Sequence, residues 1–304
     1  MAGRNKISFH KNAIVQALFV TFLWSSSWVF IKVGLQGQGL PPLTFAGLRY
    51  FLGFLFLLPF VLKQDSSKIK ELSGRQWWEL LGLGFIMYAA TQGAQFLSLA
   101  HFPAVLITLI LNFTPIVVAL LSLILLRESA SLKQVIGIGV CLLGSALYFI
   151  PHLQQDVGWT WLLLIPVIGM LANAGAAISG RAINRKEHLS PRVVTIISMG
   201  FGSVILLVAG LLTEQMPILG VKQILIVLWL AGINTAFAFT LWNHTLRTLS
   251  SVESSVINNT MMIQIAVLAV IFLGERLSVL DVVALVIASA GALLVQLGRR
   301  VETK

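Results

Sequence analysis

Apolar runs of about 20 residues, each long enough to cross a hydrocarbon core of about 30 Å as a helix, recur along this chain from end to end with short polar breaks between them. That pattern restricts the fold severely. Lipid offers no partner to a backbone N–H or C=O, so each run must satisfy its own backbone, and an α-helix does so within one segment. Composition agrees, because 57% of the 304 residues are hydrophobic and 11% are charged, against about 25% charged in a typical soluble domain. No stretch is left over for a water-soluble domain.

The spacing predicts spans near 12–34, 42–62, 77–99, 103–126, 132–150, 158–181, 192–212, 222–246, 252–273 and 279–298. Stop signals fall between them: Gly37, Gly39, Pro41 and Pro42, then Asp65 to Ser67, Pro151, Ser190 with Pro191, and Pro217 with Gly220. The basic start (Arg4, Lys6, Lys11) ahead of the first run has the look of a secretory leader. The run is too long for one and lacks a small-x-small cleavage pattern, so it reads as a span. The one cysteine, Cys141, lies inside an apolar run, which excludes a disulfide framework or a cysteine metal site within the chain.

Basic residues orient the chain, since cytoplasmic loops are enriched in Lys and Arg. They gather at the N-terminus, in the second loop (Lys63, Lys68, Lys70, Arg75), the fourth (Arg127, Lys133), the sixth (Arg181, Arg185, Lys186, Arg192), the eighth (Arg247) and the tail (Arg299, Arg300, Lys304). Every second loop is basic. Both termini are therefore expected in the cytoplasm, in a plasma or inner membrane, which requires an even number of spans. The formal charge of +10 serves topology and anionic lipid headgroups, and needs no nucleic acid partner. Trp77, Trp78, Trp159 and Trp161, at the starts of the third and sixth spans, suit interfacial anchoring.

Shifting the chain by 147 residues lays the fourth and fifth spans on the ninth and tenth without a gap. Asn112 meets Asn259, Glu128 meets Glu275, Ser131 meets Ser278 and Gly144 meets Gly291. Gly137, Cys141 and Gly144 fall on Ala284, Ala288 and Gly291, a stripe of small residues at helical spacing that suits close helix packing. The chain thus divides into two five-helix repeats, 1–151 and 152–304. Five is odd, so two such units in series point in opposite directions across the bilayer. The fold class expected is all-α integral membrane, with about ten transmembrane helices in two inverted repeats, an architecture that lets one site open to either side in turn.

The segments LWSSSWVFIKVGL, PPLTFAGLRYFLGFLFLLP and LNFTPIVVALLSLILLRESASLKQVIGIGVCLLGSAL, with MMIQIAVLAVIFLGERLSVLDVVALVIASAGALL near the end, resemble the EamA family of the drug/metabolite transporter superfamily. The resemblance covers nearly the whole chain. It implies a ten-helix exporter or exchanger of metabolites, amino acids or drugs with a central cavity between its halves. One position departs from the family pattern: the proline expected to match Pro115 is Met262, which weakens the case for a kink in the ninth span.

Polar residues deep in the spans are the candidate solute pathway, because an unaided polar group in hydrocarbon is costly. Tyr88, Gln92 and Gln95 form one helical stripe; Asn234, Leu241 and His244 form another, with Trp242 beside it. Thr108 and Asn112 precede Pro115, Asn173 lies in the sixth span, Ser255, Asn258 and Asn259 in the ninth, and Trp24, Ser27 and Trp28 share a side of the first. Together they suit a mostly neutral cavity for amphipathic solutes. The plainer account is hydrogen bonding between helices. Lys32 is near enough to the outer surface to snorkel, Arg49, about two turns inside, could snorkel or hold backbone carbonyls, and the pair could draw anionic groups into an outer vestibule. Ser131 with Gln134, and Ser278 with Asp281, read as capping boxes beside Glu128 and Glu275.

No carboxylate falls near a span centre, which tilts the reading toward facilitated diffusion or exchange over proton-driven pumping. The N-x-Thr matches at Asn112, Asn243 and Asn258 lie inside spans and do not read as glycosylation sites. A membrane enzyme would need a nucleophile with its base or a clustered metal site, and neither HExxH nor GxSxG occurs. The expectation is a carrier of small organic solutes, without cofactor or metal, monomeric or homodimeric. A polar-lined channel is the rival from another class. Exchange of phosphorylated metabolites or nucleotide-sugars is the alternative among carriers, and it would place Lys or Arg at mid-membrane.

Overall fold

The computed structural model describes residues 2–37, 39–126, 131–153, 161–184, 190–215, 219–245, 248–249 and 251–297. Glu128, Trp159, Arg127, Arg185, Lys186, Arg247, Arg299, Arg300 and Lys304 lie outside them. The described residues form helices without a strand: α1 (Ala2–Leu35), α2 (Pro42–Lys70), α3 (Gly74–Gly84), α4 (Thr91–His101), α5 (Ala104–Leu111), α6 (Thr114–Leu126), α7 (Leu132–Leu153), α8 (Leu164–Asn184), α9 (Pro191–Thr213), α10 (Val221–Ala231), α11 (Ala238–Thr245), α12 (Ser251–Leu273) and α13 (Val279–Leu297). Six stretches among them are long and apolar enough to cross a membrane: His10–Leu35, Pro42–Lys70, Gly74–His101, Trp161–Gly180, Pro191–Thr213 and Val221–Trp242. Ala104–Val118, Leu132–Tyr148, Ile257–Leu273 and Val279–Val295 are shorter apolar helices.

Helix starts follow local chemistry. Ser73, Ser131 and Ser278 each accept from the backbone N–H three residues on, while Gln76, Gln134 and Asp281 reach back to the N–H of the cap. The last two are the boxes expected from sequence. Gly274 ends α12 in the left-handed region (φ 68°), where glycine avoids the Cβ clash of other residues.

The stretch Gly74–His101 changes pitch midway, through a π turn at Phe85–Ala90 between α3 and α4. The run from Val221 does the same at Gly232–Phe237, between α10 and α11. These two turns begin and end 147 residues apart. The offset found in the last two spans of each repeat therefore extends to the third. A π turn widens the helix and loosens its carbonyl ladder. Here threonines fill the gap: Thr91 donates to Ile86 O at 2.8 Å and Thr235 to Leu230 O at 2.9 Å, each five residues back.

The chain packs as two compact units, and each draws helices from both halves of the sequence. The first holds Met1–Val29, Pro103–Leu163 and Ala238–Lys304; the second holds Phe30–Phe102 and Leu164–Phe237.

In the first unit α7 and α13, repeat equivalents of one another, pack along their length. A Cβ on Gly144 would stand 2.8 Å from Ala288 Cα, and one on Gly137 would stand 2.6 Å from Val295 N, so nothing larger than glycine fits either contact. This is the small-residue stripe read from the sequence. In the second unit another repeat-related pair, α2 and α9, pack in the same manner. There a Cβ on Gly47 would fall 2.7 Å from Leu207 N, and one on Gly200 2.8 Å from the Phe54 ring. Lipid removes most of the hydrophobic drive between helices, so close backbone approach and dispersion hold such seams together.

The break between α5 and α6 lies at Asn112 and Phe113, just before Pro115, whose ring and missing N–H interrupt the ladder. The equivalent helix, with Met262 in place of proline, runs unbroken as α12.

Candidate functional site

In the second unit the polar residues of α2, α4 and the two π turns meet. Arg49 is the eighth residue of α2, about 10 Å along its axis at 1.5 Å per residue. Its Nε donates to Thr235 Oγ1 at 3.2 Å, and its Cζ lies 5.1 Å from the centroid of the Tyr50 ring. Tyr50 donates its hydroxyl to Gln92 Oε1 at 2.6 Å, and its ring stands edge-on to Tyr88 with centroids 5.4 Å apart. Gly53 lets α2 approach the second π turn, since a Cβ there would be 2.9 Å from Thr235 Cγ2. Arg49, Tyr50, Gln92, Tyr88 and Thr235 thus form one continuous cluster of neutral polar groups around a single cation.

Arg49 differs from expectation. It is 4% exposed, so its side chain is buried among helices and does not snorkel. The physical reason is that the second π turn offers the Thr235 hydroxyl and α2 itself offers the Tyr50 ring, so the guanidinium finds partners among the helices. Lys32, expected to reach the surface, donates its Nζ to the Phe102 carbonyl at the end of α4 and is half-buried.

In the first unit an aromatic and amide cluster surrounds α1. The Trp24 ring meets Phe239 at 5.3 Å and Trp242 at 5.2 Å, both tilted. Beside it, Ser25 donates to Gln264 Oε1 at 2.9 Å, while Gln264 Nε2 donates to Thr21 Oγ1 at 3.3 Å and Thr260 Oγ1 at 3.1 Å. Trp24 Nε1 and Asn112 Nδ2 are buried without a hydrogen-bond partner among the described residues. Such donors are expensive to leave empty. A groove of about 620 Å³ between α12 and α13 lies apart from these groups, walled by Ile263, Val267, Val270, Leu285 and Val286 with Glu275 and Arg276 at its rim. Its aliphatic walls suit lipid chains.

The remaining candidates divide. Trp28 and Asn234 are buried, Gln95 and Asn173 are half-buried, and Asn258 is exposed. Asn259 donates Nδ2 to the Ser289 carbonyl of α13 at 2.8 Å, and Ser289 donates to Met262 Sδ at 2.9 Å, so its amide ties α12 to α13. Ser27 gives its proton to Trp24 O at 2.6 Å. Among the described residues no group of three or more His, Cys, Asp or Glu side chains could hold a metal ion.

Sequence reasoning passed over Tyr50, Thr235 and Gln264. Tyr50 and Thr235 sit one position from residues already singled out, but a π turn shifts helical phase, so a stripe counted at 3.6 residues per turn misses Thr235. Gln264 was legible as an amide in mid-span.

Carboxylates also close helix starts. Glu214 accepts from Leu43 N and Thr44 N, both at 2.9 Å, and from Thr44 Oγ1. Glu275 accepts from Ala104 N at 2.6 Å and Val105 N at 3.2 Å. Each of those helices begins after a proline that offers no side-chain cap, Pro41 or Pro103. Asp65, 3% exposed at a kink in α2, pairs with Lys68 at 2.8 Å and lies 3.9 Å from Arg192 at the start of α9.

Long apolar helices, a sequence repeat that recurs in the backbone, and polar clusters buried among the spans define a helical membrane transporter built from two related halves. The model of the EamA-like transporter family matches residues 11–150 and 159–297, and the chain belongs to that family, within the drug/metabolite transporter superfamily. It is 29% identical over 247 residues to the uncharacterized transporter YoaV of Bacillus subtilis (strain 168), covering 78% of this chain and 80% of that one. An S-adenosylmethionine/S-adenosylhomocysteine transporter of Chlamydia trachomatis serovar L2 is 25% identical, with 86% and 82% covered. A probable amino-acid metabolite efflux pump of Salmonella typhimurium is 25% identical over 94% of this chain and 95% of its own. The fold also matches a solved crystal structure at a TM-score of 0.66 and 16% identity, over 96% of this chain and all of the other.

Proposed function

We propose that this protein is an alternating-access carrier of ten spans, two inverted repeats at 1–151 and 152–304, that exports or exchanges small organic solutes across a plasma or inner membrane with both termini in the cytoplasm. The observation that carries the reading is the coincidence of the two π turns, Phe85–Ala90 and Gly232–Phe237, at the same 147-residue offset as the sequence repeat. Two halves that share even their irregular turns are closely alike in backbone, the likeness that an exchange of conformation between repeats draws on. π turns also concentrate at functional sites.

The residues proposed to meet the solute are Trp24, Trp28, Tyr88, Gln92, Gln95, Asn112, Asn173, Asn234, Trp242, Asn258 and Asn259, with Lys32 and Arg49 as cationic groups. Trp24 Nε1 and Asn112 Nδ2 support this set, as buried donors that a solute acceptor would satisfy. The solutes named for two relatives, S-adenosylmethionine and amino-acid metabolites, share amino-acid chemistry, and we carry that class to this chain. No enzymatic step is assigned.

Counterflow in liposomes tests the reading. Protein is reconstituted into vesicles loaded with unlabelled amino acid at about 10 mM, enough to saturate a site of ordinary affinity. Labelled solute added outside is then expected to move inward transiently against its gradient. Flux that never saturates and shows no counterflow would make the protein a channel.

A further inference from the structure

We infer that Arg49 is the anion anchor of the transport site, holding the carboxylate of an amino-acid-like solute; this deepens the carrier reading and rests on it. The guanidinium has five N–H donors in a rigid fork, and one of them, on Nε, is engaged by Thr235 Oγ1. That oxygen is free to accept because its own proton goes to Leu230 O. The other four donors have no partner among the described residues. Nor does any described carboxylate pair with Arg49. In its unit Asp65 is held by Lys68, Glu79 by Arg75 and Glu214 by the first turn of α2. An arginine at 4% exposure without a counter-charge is strongly unfavourable. A binding site is where that state persists, because the ligand brings the missing charge.

The surroundings fit a planar anion with an apolar tail. The guanidinium lies over the Tyr50 ring, 5.1 Å from its centroid, and the same tyrosine holds Gln92 by Oε1, leaving the Gln92 amide nitrogen as a further donor on that side. A carboxylate matches the fork with two parallel hydrogen bonds. The Tyr50 and Tyr88 rings offer an apolar wall to the rest of the solute. A free cation would be repelled, so a solute that carries an amine must bring its carboxylate as well.

The test compares acids with partners that lack the acid: L-phenylalanine, L-methionine and S-adenosyl-L-methionine against L-phenylalaninamide, L-methioninamide and decarboxylated S-adenosylmethionine. Thermal stabilisation of the purified chain and counterflow in liposomes are read for the parent, Arg49→Gln and Arg49→Lys. The parent is expected to favour at least one acid over its partner by about tenfold or more, as loss of a charge-assisted bidentate contact implies. Arg49→Gln narrows that ratio to within about threefold, while Arg49→Lys, which keeps charge but loses the fork, falls between. Equal handling of acids and amides by the parent overturns the assignment and leaves the carrier reading intact, and this arm stands even where Arg49→Gln fails to fold. An undiminished acid preference in Arg49→Gln overturns it too. Absence of counterflow for every member of the panel overturns both readings.

Discussion

Glu275 and Ala104 lie 171 residues apart, and the carboxylate of the first accepts the backbone N–H of the second at 2.6 Å. Glu214 stands in the same relation to Leu43, at the same separation in sequence. Both acids sit just past the ends of helices, α12 and α9, and both close the first turn of a helix that starts after proline. A helix start leaves four N–H groups without partners and carries partial positive charge. The prolines give rigid entry to α2 and α5 but no capping oxygen, so a distant glutamate supplies two acceptors and a full negative charge.

Glu275→Gln and Glu214→Gln are each expected to destabilise the protein by about 1–2 kcal/mol, the scale of losing a charged cap. The apparent melting temperature in detergent, followed by tryptophan fluorescence, should fall by a few degrees for each. Glu71→Gln, an exposed acid at the end of α2, should leave it unchanged. Equal effects at all three sites would mean that the caps contribute nothing specific.

Close approach of α7 and α13 leaves no room for a side chain at Gly144. Gly144→Leu should therefore cost about 1–3 kcal/mol or more through overpacking, visible as loss of the monodisperse peak in size-exclusion chromatography. Gly139 lies on the same helix with nothing within 4 Å of a built Cβ. There Gly139→Ala should be neutral or slightly stabilising, by up to about 1 kcal/mol, from helix propensity.

Gln264 joins α12 to α1 through Ser25 and Thr21, yet each hydroxyl has a carbonyl to fall back on: Thr21 donates to Leu18 O and Ser25 to Thr21 O, both at 2.8 Å. Gln264→Leu is accordingly expected to lower stability by less than about 1 kcal/mol, since no buried donor is stranded. A loss several times larger, measured by thermal unfolding, would show that the amide organises the packing of α1.

The helices, the repeat and the small-residue seam were legible in the sequence because each rests on periodicity: apolar runs of about 20 residues, a 147-residue offset, and Gly137, Cys141 and Gly144 at helical spacing. The unbroken run of α12 through Met262 agrees with the departure from the family pattern at that position, whereas the break at Asn112 and Phe113 divides a run that reads as continuous over 103–126. The polar cluster was only half legible. Tyr88 and Gln92 share a helical phase that the sequence shows, whereas the place of Thr235 beside Arg49 depends on a π turn, which no simple residue pattern marks. Glu275 reads from the sequence as turn chemistry and Glu214 does not stand out at all, because their partners are backbone amides 171 residues away, and long-range contacts to backbone leave no signature in side-chain spacing. Asn259 matched Asn112 in the repeat, but the Ser289 carbonyl takes its amide, a partnership visible only once α12 and α13 are packed.

Antiparallel repeats are the claim on which alternating access stands, and Leu132 and Val279 test it most directly. They are repeat equivalents at the starts of α7 and α13, 75% and 83% exposed, and the native Cys141 is buried. Single substitutions Leu132→Cys and Val279→Cys, labelled in intact cells with a membrane-impermeant maleimide and again after permeabilisation, should report opposite faces. The account predicts that position 279 reacts from outside, and that position 132 reacts only once the cytoplasmic side is opened. Reaction of both from the same side would contradict it.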